Sequence, residues 1–298
     1  MKKMLGYVLL SAFLLAWCGC SKPAPPVEAV TVMFTPVGAI LRAVTAGTGV
    51  EVAVVVPAGK DVHEYEPTSQ DLRSLEHGGP FLSLNTAGEQ RLASTVAKMG
   101  GDVHVLAPDL ERLPFTDDED EDAESGHDHH AGMTDPHVWL SPLNCAAIAE
   151  SAAEILSARY PEHAAKFRAN AAEYAAGMRK LGAEIGEQLA PYAGRRFYVM
   201  HPAFGYFAHE YKLTQCPLER EGKRPSPTDV EKTLAAARKD GVKYVYASPQ
   251  FNLTHPMAMA KALNARLVLL EPLPADPAAA FRDIADKLAA GFDAESRR

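Results

Sequence analysis

From Val27 onward the chain alternates short β-branched runs with longer stretches rich in Ala and Leu, which is the pattern of a parallel sheet wrapped by helices. Apolar runs at 30–34, 51–56, 80–84 and 103–106 predict strands, and the stretches at 37–46, 69–77 and 89–99 predict helices between them. A second series follows, with strands at 196–200, 243–247 and 266–270 and helices near 204–211, 227–240, 256–264 and 278–290. The helix at 227 has its own start signal: Ser226 as cap, Pro227 at the first helical position and Asp229 in the first turn. Between the two series, at 162–189, lies the longest helical signal, in which Phe167, Tyr174, Met178, Leu181, Ile185 and Leu189 recur on one face. At 1.5 Å per residue such a helix is about 40 Å long, enough to run the length of a two-lobed protein and to resist wide hinge opening. The expected organisation is α/β, with a first lobe at 27–160, a linking helix at 161–190 and a second lobe at 191–298.

Composition changes this picture at the N-terminus. Lys2 and Lys3 precede an apolar run at 4–17 that is too short for a comfortable membrane span and is built like a secretion signal. Cys18 and Cys20 follow, and then a Pro-rich spacer. A signal ending at a cysteine points to a bacterial lipoprotein cleaved within 1–20. Gly19 favours Cys20 as the lipid anchor, with Cys18 as the alternative. The mature protein is then expected to be periplasmic or on the cell surface, anchored to a membrane. The net charge of −8 is concentrated in the run DDEDEDAE at 117–124, and an acidic chain without clustered Lys and Arg is a poor nucleic-acid binder. Only Cys145 and Cys216 remain in the body of the chain. Export permits a disulfide between them, and the absence of a CxxC pair argues against a thiolate metal site.

Three histidines stand where an α/β fold would expose them to a shared cleft. His63 lies in the loop after the strand at 51–56, His201 directly follows the strand at 196–200, and His137 lies in the segment TDPHVWLSP. Glu271 directly follows the strand at 266–270. In open α/β sheets ligands bind beyond the carboxyl ends of the strands. Three imidazoles with one carboxylate or water suit Zn(II), and separations of this length require the fold to assemble the site. The loop at 117–130, with its carboxylates and His127, His129 and His130, is expected to be an accessory region that binds cations weakly and exchanges them quickly. His63-Glu64 begins like HExxH but lacks the second histidine, and GxSxG, P-loop and GxGxxG motifs are absent.

These residues resemble the metal-binding lipoproteins that deliver Zn(II) or Mn(II) to bacterial ABC transporters. The segments GKDVHEYEPTSQDLRSL, TDPHVWLSP and HPAFGYFAHEY are similar to the family's three His-ligand motifs, and PSPTDVEKTLAAARKDGVKYVYASPQF and LLEPLP to the blocks that follow. The resemblance implies two pseudo-symmetric lobes, each a mainly parallel sheet flanked by helices, joined by a long rigid backbone helix, with the metal between the lobes. It carries the ligand roles to His63, His137 and His201, with Glu271 or water in fourth place, and the acidic His-containing loop is typical of zinc members. The function it implies is extracytoplasmic zinc capture by a monomer without catalytic activity, delivering Zn(II) to an ABC transporter permease in the inner membrane. A manganese-binding member of the same family and an exported zinc hydrolase with Glu271 as general base are the alternatives.

Overall fold

The computed structural model describes residues 29–57, 59, 60, 62, 65–115, 134–219 and 226–296. The N-terminal half holds strands β1 (Ala29–Val32), β2 (Glu51–Val54), β3 (Phe81–Ser83) and β4 (Val103–Val105), with helices α1 (Thr35–Val44), α2 (Ser69–His77) and α3 (Ala87–Lys98) between them. The C-terminal half holds β5 (Arg196–Val199), β6 (Thr214–Pro217), β7 (Tyr244–Ala247) and β8 (Arg266–Leu269), with α6 (Gly205–Glu210), α7 (Pro227–Asp240) and α8 (Thr254–Leu263). Between the halves run α4 (Pro142–Arg159) and α5 (Ala164–Leu189), and α9 (Pro277–Ser296) closes the described chain. Every strand pairing is parallel, and the sheets are ordered β2-β1-β3-β4 and β6-β5-β7-β8. In each, the first strand and the third are neighbours with connections leaving in opposite directions, which opens a crevice at their carboxyl ends.

Most expected elements form, and their local chemistry explains why. At α7, Ser226 accepts from the backbone of Asp229 while Asp229 accepts from the backbone of Ser226, a reciprocal cap that stabilises the first turn. Thr68 and Asp71 do the same for α2, and Thr86 and Glu89 for α3.

Two elements escape the sequence pattern. Helix α4 buries Cys145, Ala146, Ile148, Ala149, Ala152, Ala153 and Leu156, with alanines all round it rather than an apolar stripe, so the 3.6-residue period is blurred. Strand β6 reads TQCP, and its polar start and terminal proline disguise it; as an edge strand it tolerates both.

The linking helix begins as a single 3-10 turn at Pro161–His163 before α5 proper. Its predicted face is buried at Phe167, Met178, Leu181, Ile185 and Leu189, and Tyr174 is half-buried. Asn170 donates to the carbonyls of Val44 and Ala46 at the end of α1, both at 2.9 Å, while Gln188 donates to Asp286 of α9 at 2.8 Å. One helix is thereby fixed to both lobes. Cys145 and Cys216 do not bridge: the first donates to the Trp139 carbonyl and the second accepts from Arg196 Nε.

Candidate metal centre

Each strand of the second sheet ends by delivering one polar side chain. His201 follows β5, Glu219 follows β6, Gln250 follows β7 and Glu271 follows β8. His137 meets His201 from the opposite lobe, in the segment that leads into α4. It is held there by a set of contacts between lobes. The Trp139 indole donates to the Pro272 carbonyl at 2.7 Å, and Tyr206 donates to the Asp135 carbonyl at 3.3 Å. Ser141, which caps α4, also donates to Glu210. Burial pushes the Glu210 carboxyl up from its usual range, and the hydroxyls of Ser141 and Tyr211 oppose that rise.

The result is a cleft of about 260 Å³, part of it open to solvent, lined by Val62, His137, His201, Gln250, Phe251, Pro272 and Leu273. His137 is 2% and His201 5% exposed, so water does not compete freely for either ring. Their ring centroids are 5.4 Å apart and their planes 79° apart. A zinc-bound imidazole nitrogen at about 2.1 Å places its ring centroid about 3.2 Å from the ion, so two rings at a tetrahedral angle have centroids about 5.2 Å apart. The two histidines fit that spacing.

A carboxylate orients each ring. Asp135 Oδ1 lies 2.7 Å from His137 Nδ1 and also accepts from the His137 backbone at 2.9 Å. Glu219 Oε2 lies 3.2 Å from His201 Nδ1. A proton on Nδ1 shared with a carboxylate leaves the Nε2 lone pair for a metal and raises its basicity. Asp135 can approach because position 205 is glycine: a Cβ there would strike the Asp135 carboxylate. The glycine of HPAFGYF thus serves the neighbouring lobe. Sequence reasoning overlooked Asp135, Glu219, Gln250 and Gly205. The first stands two residues before His137 in DPH, and the second directly follows the unrecognised β6. Gln250 is neutral and lies in a loop, without a pattern to mark it.

Glu271 is half-buried and precedes Pro272 and Leu273, which line the cleft, though it does not line the cleft itself. Its Oε1 accepts from the Leu273 backbone at 2.8 Å and from Gln250 Nε2. Among the described residues no three His, Cys, Asp or Glu side chains converge as a metal-holding group, so the structure brings together His137 and His201 alone of the expected ligands. His63, the accessory histidines His127, His129 and His130, and Cys20 lie outside the described residues. Val62, adjacent to His63 in the chain, does line the cleft.

The profile of the family described as "ZnuA: Zinc-uptake complex component A periplasmic" matches residues 30–291. The zinc-binding protein AdcA of Streptococcus pyogenes serotype M6 is 27% identical over 263 residues, covering 82% of this chain and 50% of its own length. The chain thus spans about half the length of such curated relatives. The high-affinity zinc uptake system protein ZnuA of Brucella abortus is 28% identical, with 93% of this chain and 92% of that protein covered. A crystal structure of ZnuA superposes with a TM-score of 0.79 at 28% identity, covering 89% of this chain and 99% of that one.

Proposed function

The chain belongs to the family of periplasmic zinc-uptake components A, and from that premise we propose that it captures Zn(II) in the cleft between its lobes and hands the ion to an ABC transporter permease. The observation that carries the reading is the pair His137 and His201, from opposite lobes, buried, spaced for one tetrahedral ion and each backed by a carboxylate. His63 is the third nitrogen donor in this proposal, supported by Val62 at the cleft wall. Glu271, beside Pro272 and Leu273 of that wall, supplies the fourth donor. His127, His129 and His130 form a weak, exchangeable antechamber. The names of the relatives, a zinc uptake system protein and zinc-binding proteins, support zinc as the cargo.

A binding role rather than turnover accords with the cleft itself. Apart from His137, His201 and Gln250 the cleft is walled by Val62, Phe251, Pro272 and Leu273, which offer no side-chain acid, base or nucleophile. We further propose export, with a lipid anchor at Cys20; one relative is named a zinc-binding lipoprotein. Calorimetric titration of the mature protein with Zn(II) at pH 7.5 tests the proposal. One tight site is expected, and no zinc uptake would overturn it.

A further inference from the structure

We propose that Gln250 is a specificity-determining residue of this cleft: by occupying one oxygen of Glu271 it restricts that carboxylate to a single donor and so favours a four-coordinate ion over one of higher coordination number. The inference rests on the zinc-capture reading, with Glu271 as fourth donor. Strands β7 and β8 are parallel neighbours, with Ala247 opposite Leu269, so the residues emerging from them meet at the same edge. Gln250 Nε2 donates to Glu271 Oε1, and the Leu273 backbone donates to the same oxygen. An oxygen that accepts twice has little lone-pair density left for an ion, which leaves Oε2 as the oxygen to offer. A monodentate carboxylate suits tetrahedral zinc, whereas ions such as Mn(II) favour an octahedral, oxygen-rich shell.

The amide orientation is not arbitrary. A carboxylate can only accept, so the nitrogen of Gln250 must face Glu271 and its oxygen must point elsewhere. That oxygen is buried and has no hydrogen-bond partner among the described residues. The arrangement makes sense if the amide is kept for its grip on Glu271.

The test compares wild type with Gln250→Leu and Gln250→Asn, using the mature protein with Zn(II) or Mn(II) alone and in competition. Leu removes the donor and Asn draws it back from Glu271 by one methylene, so the ratio of Mn(II) to Zn(II) affinity should rise about tenfold in each. X-ray absorption at the zinc edge should show four nearest donors in wild type and a fifth, oxygen, in the variants. Circular dichroism establishes that each variant is folded, and the Asn variant retains polarity if Leu disturbs the loop. A ratio within twofold of wild type and an unchanged donor count in a folded variant overturn the inference. Wild-type zinc binding indifferent to Glu271→Gln would instead overturn the assignment of Glu271 as donor, and the clamp with it. Failure of the wild type to bind zinc would overturn the capture reading itself.

Discussion

The carboxyl edge of the first sheet runs into Phe34, Val56, Leu84 and Leu106, all buried and apolar, whereas that of the second runs into His201, Glu219, Gln250 and Glu271. The strand orders are the same. Topology thus offers each lobe an equivalent crevice, and the side chains decide whether it becomes a wall or a donor array. In the first lobe Phe34 packs on Trp139, ring centroids 4.6 Å apart, and Trp139 in turn meets His137 edge-on at 5.6 Å. The apolar edge therefore supports the one histidine that the lobe contributes through the segment before α4. The lobes also use their carboxylates differently. Glu89, 1% exposed, accepts from Leu84, Thr86 and the Thr86 hydroxyl to cap α3, and burial pushes its carboxyl up to about 7. Glu219 instead orients a ring of the cleft.

Breaking the donor array should have the largest effect. His201→Ala or His137→Ala removes a nitrogen ligand and should lower zinc affinity about 1,000-fold, or about 4 kcal/mol, in a chelator competition assay. A loss below tenfold would mean that the cleft is not the tight site. Next, Glu89 tests the purely structural carboxylate. Its folded pKa of about 7 lies above the ordinary carboxyl value of 4.5, so its protonated form contributes stability that is fully present below pH 4.5 and is lost as pH rises through 7. Relative to Glu89→Gln, the wild type should gain about 3 kcal/mol of unfolding free energy between pH 7.5 and 4.5. Equal pH profiles in denaturant melts would refute that account.

Asp135→Ala and Glu219→Ala sharpen the comparison, since one carboxylate comes from each lobe. Removing either should weaken zinc about 10- to 100-fold while both ligating rings remain. Unchanged affinity would show that ring orientation comes from packing alone. The smallest effect is expected from deleting 117–130, which should change the tight affinity by less than about threefold, because flexible donors must lose conformational entropy to close on an ion. Loss of the tight site on deletion would reverse the roles assigned to His137 and the acidic run.

Much of this architecture is legible in sequence where burial imposes a period. The long face from Phe167 to Leu189 predicts α5, and Ser226, Pro227 and Asp229 predict the start of α7, since both depend on interactions within a few residues. Helix α4 escapes because small alanines let α4 and α5 pack closely without a contrasting stripe. His137, His201 and Glu271 stand out by residue type at strand or loop ends. Their supports do not: Asp135 acts locally on His137 but its loop carries no period to mark it, Glu219 reaches His201 from another strand end, and Gly205 reads as an ordinary helix-start glycine until Asp135 of the other lobe is seen filling its side-chain space.

A single zinc site shared by both lobes would be seen by anomalous diffraction at the zinc edge from crystals of the zinc-loaded mature protein. One strong peak is expected about 2.0–2.1 Å from Nε2 of both His137 and His201. A strong peak bound only by residues of the 117–130 run, with none between the two rings, would contradict it.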